Sequence, residues 1–299
     1  MTAARSNRDE TADQDELARA FEAERPRLLN VAYATTGSLA EAEDCVQEAW
    51  LRLRRLDDPA AIRDLRAWLT TTVGRLALDA LGSARVRRER YVGPWLPEPL
   101  VKEVDDPADR VTLDESVSMA LLVVLERLSP AERTAFLLHD VFGLSFGEVA
   151  EVVGRSPGAV RQLASRARQH VDQGLPRFPP TYTEQQRVVA AFVAACRDGD
   201  LEGLVSVLDP DVTWRGDGGG KVSALRHVER GAANVARRLL GYARIPVDAV
   251  RIVEINGAPG LVMRDATGVL SVVAFTVDGG RITELDVIRN PDKLSAVRF

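Results

Sequence analysis

Lysine is scarce in this chain: three of its 39 basic residues are lysine, at positions 102, 221 and 293. Aromatic residues make up only 5%. There are two cysteines, Cys45 and Cys196, far apart in sequence. They offer neither a disulfide framework nor a metal-ligand spacing, so they read as buried thiols, and no metal or cofactor is expected. No run approaches the roughly 20 apolar residues that span a bilayer. The opening MTAARSNRDETADQDE lacks the apolar core of an export signal, so a cytoplasmic location without a membrane partner is expected. What is present is ordinary for a folded protein: 299 residues, 45% hydrophobic and 28% charged. That excludes a chain disordered throughout and suggests two or three domains.

The net charge of −5 falls entirely on residues 1–180, because residues 181–299 hold equal numbers of basic and acidic side chains. Two basic islands interrupt that acidic part. One is RVRRER at 85–90; the other is the set of Arg155, Arg161, Arg166, Arg168 and Arg177. Such islands suit contact with a polyanion, although an arginine-rich composition produces them by chance, so they count only where they fall on a motif. Two proline-rich breaks, 91–109 and 174–183, cannot be regular helix. They divide the chain into an N-terminal helical segment (15–90), a linker (91–109), a central helical segment (110–173), a second linker (174–183) and a C-terminal α+β segment (184–299).

Over 41–56 the residues Ala42, Cys45, Val46, Ala49, Trp50, Leu53 and Leu56 share one helical face. The opposite side carries Glu41, Asp44, Gln47 and Glu48 around Leu51. It reads either as a contact spot for a basic partner or as a solvated face with one stray leucine. Over 62–82 an inner stripe of Leu65, Trp68, Leu69, Thr72, Val73, Leu76 and Ala80 is expected. That leaves Thr70, Thr71 and Arg75 to point elsewhere, toward the island that follows.

The most specific signal is LSPAERTAFLLHDVFGLSFGEVAEVVGRSPGAVRQLASRARQHV, residues 128–171. A helix over 130–141 stops near Gly143. Ser145 and Glu148 have capping-box spacing, Gly154 ends the short helix they start, and Ser156 with Pro157 opens a third. This is a helix-turn-helix plan. Its third helix buries Ala159, Val160, Leu163, Ala164, Ala167 and Val171 and displays Arg161, Gln162, Ser165, Arg168 and Gln169, with Arg166 at the edge. Arg pairs with guanine and Gln with adenine, so base readout falls to Arg161 and Gln162, with backbone contact from Arg155, Arg166 and Arg168.

In the C-terminal segment, helices are expected at 184–197, 200–208 and 227–242. Strands are expected at 211–217, 247–255, 259–264, 269–277 and 281–289, with Asn256-Gly257 and Asp278-Gly279 as turns. Asp217, His227, Tyr242 and Asp286 are acid–base candidates that no spacing ties together. The DGGGK sequence at 217–221 lacks the spaced glycines of a phosphate loop, and Val222 stands where such a loop needs Ser or Thr.

Taken in order, these pieces resemble an extracytoplasmic-function (ECF) sigma factor of bacterial RNA polymerase. DCVQEAWLRLRR (44–55) looks like the family's helix that docks on the β′ clamp, which implies core-polymerase contacts from Asp44, Gln47, Glu48 and Leu51. DLRAWLTTTVGRLALDAL (64–81) is similar to the segment that melts and reads the −10 element, which implies DNA contacts from Thr71, Arg75, Arg85, Arg87 and Arg88. Gly74 and Gly82 depart from it where stronger helix formers are expected. The helix-turn-helix resembles the −35 reader that meets the β flap and extends the DNA-contacting set to Ser165. WLPEP (95–99), DGGGK (217–221) and NPDKL (290–294) resemble a SigJ-like subgroup with a fused SnoaL-like domain.

The implied fold is multidomain: two all-α sigma domains and an α+β cone of the SnoaL or NTF2-like kind. The implied activity is promoter-specific initiation with no catalytic residue. The fused domain is implied to regulate through Trp95, Leu96, Pro97, Glu98 and Pro99, docked by Asp217, Gly218, Gly219, Gly220 and Lys221 and by Asn290, Pro291, Asp292, Lys293 and Leu294. Glu98 is a candidate partner for Lys221 or Lys293, and a small-molecule ligand of the fused domain stays open. Two readings of other classes also stay open. One is a helix-turn-helix regulator that binds DNA alone; the other is a SnoaL-like enzyme fused to a DNA-binding module.

Overall fold

The computed structural model describes residues 2–88, 90–102, 117–176, 180–242, 250–265 and 267–298, without the side chains of 2–14, 60, 86 and 87. The boundary expected between 109 and 110 lies outside these residues, as do Arg177 of the second basic island and the side chain of Arg87. The described residues form two compact units. One is built from residues within Met1–Gly82 and Pro130–Ser165, the other from residues within Ser83–Asp109, Glu115–Ser129 and Arg166–Phe299.

The first unit is all helical. Helix α1 (Thr2–Thr36) packs along α2 (Leu39–Arg54), which Ser38 caps by accepting from the Glu41 amide. The buried face of α2 is Ala42, Cys45, Val46, Ala49 and Leu53, whereas Leu56 lies beyond the helix end and is exposed. Helix α3 (Leu65–Arg88) runs on through the basic island. Its buried stripe is Leu69, Thr70, Val73, Gly74, Ala77, Leu81 and Ala84. The stripe is therefore turned from the one expected, and Thr70 faces inward. Gly74 gives the physical reason: a Cβ there would sit 3.1 Å from Val152 Cγ1, so the glycine lets α3 approach the helix carrying Val152. Thr70 then accepts from Arg27 (2.7 Å) and donates to the Arg66 carbonyl (2.6 Å).

Helix α4 (Met119–Leu125) belongs to the second unit and is apolar on every side. Helix α5 (Pro130–Phe136) continues as a π turn over Leu137–Val141, with the Phe142 amide reaching back to the Leu137 carbonyl, where a regular helix to 141 was expected. Helices α6 (Phe146–Val153) and α7 (Pro157–Gly174) follow.

The second unit is organised on a seven-stranded mixed sheet. Its strands are β1 (Val101–Lys102), β2 (Leu208–Asp217), β3 (Glu229–Arg230), β4 (Val250–Ile255), β5 (Ala258–Arg264), β6 (Leu270–Asp278) and β7 (Arg281–Ile288), in the order β1-β4-β5-β6-β7-β2-β3. Among the described residues, only the β2–β7 pair is parallel. Helices α8 (Tyr182–Asp198), α9 (Leu201–Val207) and α10 (Ala232–Tyr242) cover one face through Phe192, Leu204 and Val235, against Leu261, Val273, Phe275 and Leu285. The other face, Val262, Val272, Ala274 and Ile288, is covered by Leu96, Met119, Val123 and Leu294. Strand β6 is thus buried on both sides, as its run SVVAFTV requires, since side chains alternate between faces.

The linker does more than connect. Val101 pairs with Ile255 and Lys102 with Glu254, so the linker supplies the sheet's edge strand. No helix among the described residues is long and apolar enough to cross a membrane, and none of their His, Cys, Asp and Glu side chains cluster in a way that could hold a metal.

Candidate functional site

The helix-turn-helix is built by local chemistry. The Ser145 amide donates to the Glu148 carboxylate (2.7 Å) and the Glu148 amide to Ser145 Oγ (3.3 Å), closing the capping box. Those hydrogen bonds from Ser145 hold the Glu148 carboxyl below the usual range. Gly154 takes the left-handed conformation, φ 66°, that a short turn needs. Ser156 caps α7 by accepting from the Ala159 amide (3.3 Å). Along α7, Val160, Ala164, Ala167 and Val171 are buried, while Arg161, Gln162, Ser165, Arg166 and Arg168 are exposed, and so is Arg155 ahead of the helix. The Arg161 guanidinium lies 5.2 Å from the centre of the Phe146 ring, which itself stacks on His139 at 3.8 Å. That brace fixes the first turn of the exposed face.

On α2, Asp44 and Gln47 are exposed and Leu51 is half-buried, while Glu48 pairs with Arg52 at 2.9 Å. On α3, Thr71 is half-buried and Arg85 exposed. Arg75 is engaged within its own unit: Nη2 donates to the Glu151 carbonyl at 2.9 Å. Arg88 is also engaged, since it pairs with Glu126 and stands 3.3 Å over the centre of the Trp95 ring.

The three short motifs WLPEP, DGGGK and NPDKL meet at one carboxylate. Asp217, the last residue of β2, is fully buried. Its Oδ1 accepts from the Tyr91 hydroxyl (2.6 Å) and the Gly219 amide (3.1 Å). Its Oδ2 accepts from the Leu96 amide (2.9 Å) and Lys293 Nζ (2.7 Å). Lys293 donates again to the Leu96 carbonyl and stands 3.9 Å from the centre of the Trp95 ring. One lysine thus grips the linker by ion pair, hydrogen bond and cation–π contact. Burial, partly offset by Asp217, lowers its pKa to about 8. Burial and the hydrogen bond to Asp217 push the Tyr91 hydroxyl upward.

Asn290 caps the turn Pro291–Lys293 and donates to the Tyr91 hydroxyl at 2.8 Å. A Cβ at Gly219 would lie 2.5 Å from Asn290 Nδ2, and its φ is 62°, so a glycine is needed there twice over. Leu96 and Leu294 are buried in the outer sheet core, and Pro97, Glu98 and Pro99 are buried beside them. Lys221 pairs with Asp292 at 2.6 Å and Lys293 with Asp217, so each lysine has a carboxylate partner other than Glu98. Further along, Asn256 and Leu100 exchange two hydrogen bonds, and Asn256 Nδ2 donates to the Val117 carbonyl.

Sequence reasoning missed Tyr91, Asn256 and Arg88 as parts of this clasp. For Asn256 the sequence signals only a turn. The acid–base candidates do not converge. Asp217 is spent in the clasp, Asp286 is in a two-point pair with Arg215 (2.6 and 3.0 Å), and His227 is exposed. Of these four, Tyr242 lines a largely apolar cavity of about 240 Å³ in the second unit, together with Trp214, Leu261 and Arg289.

Comparison with known proteins adds to this geometry. The family model for sigma-70 region 2 matches residues 20–87, and that for sigma-70 region 4 matches 118–171. The ECF RNA polymerase sigma factor SigJ of Mycobacterium tuberculosis is 45% identical over 294 residues, covering 92% of either chain. The probable ECF sigma factor SigI of the same species is 35% identical over 290 residues, covering 96% of this chain and 98% of that one. The crystal structure of the M. tuberculosis SigJ superposes with a TM-score of 0.78 at 43% identity, covering 93% and 98%.

Proposed function

The chain belongs to the extracytoplasmic-function sigma factors of RNA polymerase, and from that premise we propose how its residues divide the work. Helix α2 meets the β′ clamp through Asp44, Gln47, Glu48 and Leu51. Helix α3 and the island after it serve the −10 element through Thr71, Arg75, Arg85, Arg87 and Arg88. Helix α7 reads −35 bases with Arg161 and Gln162 and holds phosphates with Arg155, Ser165, Arg166 and Arg168, its domain meeting the β flap. The protein acts where polymerase acts, in the cytoplasm, and carries no catalytic group of its own. The observation that carries this reading is the exposed polar face of α7, capped at its start by Ser156, inside a chain alike to SigJ over nearly its whole length.

Two features describe a resting state. Elements centred 25 base pairs apart are separated by about 85 Å of duplex at 3.4 Å per step. Helices α3 and α6, in van der Waals contact at Gly74 and Val152, cannot each serve their element without parting. The clasp on WLPEP holds the linker as part of the C-terminal sheet, so the C-terminal domain regulates by keeping or releasing it. A domain shifts such an equilibrium only by its differential affinity for the two linker states.

The test is run-off transcription with purified core polymerase. Arg161→Ala is expected to relax −35 specificity and cost about 1–3 kcal/mol of discrimination. Arg168→Ala is expected to weaken all sequences alike and reduce the salt slope. Trp95→Ala is expected to change output without changing promoter preference. Specific binding of a promoter by the chain alone, undiminished without core, would favour a stand-alone regulator.

A further inference from the structure

The base reader assigned to α7 leans on a ring from the preceding helix. The Arg161 guanidinium lies over the Phe146 ring, 5.2 Å from its centre, and among the described residues no carboxylate pairs with it. Its charge thus faces an aromatic surface, while the N–H donors that would fork onto a guanine edge stay available.

The ring is itself fixed by its neighbours. Phe146 is the first residue of α6, directly after Ser145, whose capping box with Glu148 sets where that helix begins. His139 stacks on the ring with centres 3.8 Å apart and planes 28° apart. His139 lies in the π turn, and its Nδ1–H donates to the Leu144 carbonyl at 2.7 Å. The Leu144 amide in turn donates to the Leu138 carbonyl at 2.8 Å. Single π turns recur at functional sites. Here the π turn and the capping box together hold an aromatic stack against an exposed arginine.

The consequence for recognition is one of side-chain order. An exposed arginine that samples its rotamers loses that freedom when it forks onto guanine O6 and N7. It orders in this way on the matching base only, so the entropic cost falls on the correct complex and spares the mismatched ones. A ring that orders the side chain beforehand removes the cost from the correct complex alone.

We propose that Phe146 is a positioning residue for −35 recognition, its ring ordering Arg161 so that guanine is told from adenine more sharply. This rests on the reading of Arg161 as a base reader, and it adds the residue on which the sharpness of that reading depends.

The experiment uses holoenzyme reconstituted from the full chain and core polymerase. Binding is compared between a promoter with the preferred −35 element and the same promoter in which the G·C pair most sensitive to Arg161→Ala is changed to A·T. Arg161→Ala is expected to cost about tenfold in that ratio. Phe146→Leu is expected to cost about threefold, and Phe146→Tyr, which keeps the ring, to retain the wild-type ratio. Added to Arg161→Ala, Phe146→Leu is expected to change the ratio no further. A second measurement needs no change at Phe146: in nitrogen relaxation of the full wild-type chain, the Arg161 Nε–H is expected to be more ordered than that of Arg155, which is exposed and touches no ring among the described residues. An undiminished ratio in Phe146→Leu, the same threefold loss on the Arg161→Ala background, equal losses in Phe146→Leu and Phe146→Tyr, or an Arg161 side chain as mobile as Arg155 overturns the proposal and leaves the base reader standing. No effect of Arg161→Ala at any −35 base pair strikes the base reader itself, and the proposal falls with it.

Discussion

At the scale of single residues, the second unit concentrates its electrostatics at Asp217. A carboxylate without solvent exposure is tolerable because it accepts four hydrogen bonds, one of them from an ammonium group. Asp217→Asn keeps the shape but leaves Lys293 buried beside a neutral amide. Breaking a buried pair in this way is expected to cost about 3–5 kcal/mol in urea unfolding and to speed exchange at the Leu96 amide. Lys293 gives a second prediction. Its folded pKa of about 8 lies below the ordinary 10.5, so between those values the unfolded chain holds the proton and the folded chain does not. Stability therefore rises with pH from about 8 to 10.5 and is insensitive to this group below 8. The groups facing it are Asp217, Arg88, Glu126 and Tyr91. An Nζ resonance titrating near 8, and the loss of that rise in Lys293→Met, are the expected measurements; a midpoint near 10.5 would contradict the buried clasp.

At the scale of elements, the same physics decided what could be read beforehand. The caps at Ser145 and Ser156 were legible because each satisfies orphan amides with its own neighbours in sequence, and the observed hydrogen bonds are those of the spacing. The face of α7 was legible because one side is apolar at helical period. The stripe of α3 was not, because Gly74 looks like a weak helix former until Val152, 78 residues on in sequence, is seen against it. Buried Arg133 was equally hidden: it donates to the Ala34 carbonyl in the last turn of α1, a long-range partner that no local pattern announces. Strand β1 was invisible for the same reason, although SVVAFTV held a clue, since a strand apolar on both faces needs a cover on both. Asn256 separates two roles cleanly. Its φ of 48° suits glycine as well as asparagine, so Asn256→Gly is expected to preserve the β4–β5 turn and the backbone bond to the Leu100 carbonyl, and to lose the side-chain bonds to the Leu100 amide and the Val117 carbonyl. A loss of about 1–2 kcal/mol is expected, with faster exchange at the Leu100 amide and an unchanged β4–β5 pairing by NMR.

At the scale of the whole molecule, the first unit sets a condition on function. The proposed −10 helix and the short helix of the −35 reader touch where Gly74 meets Val152, and Arg75 spends its donors on the Glu151 carbonyl beside that contact. Promoter reading at two separated elements requires that contact to open, so a bond across it should act as a lock. A Cβ at position 74 would lie 3.1 and 3.4 Å from the two methyl carbons of Val152, close enough for a Cβ–Cβ distance within the roughly 3.5–4.5 Å of a disulfide. The native thiols do not compete: burial pushes Cys45 up to about 11 and Cys196 up to about 12. The double variant Gly74→Cys, Val152→Cys is expected to oxidise readily and to lose at least tenfold in run-off transcription, with full recovery on adding reductant. Each single cysteine should behave alike in both redox states. Undiminished transcription from the oxidised double variant would mean that the two helices work while joined, and the proposed division of −10 and −35 contacts would have to be redrawn.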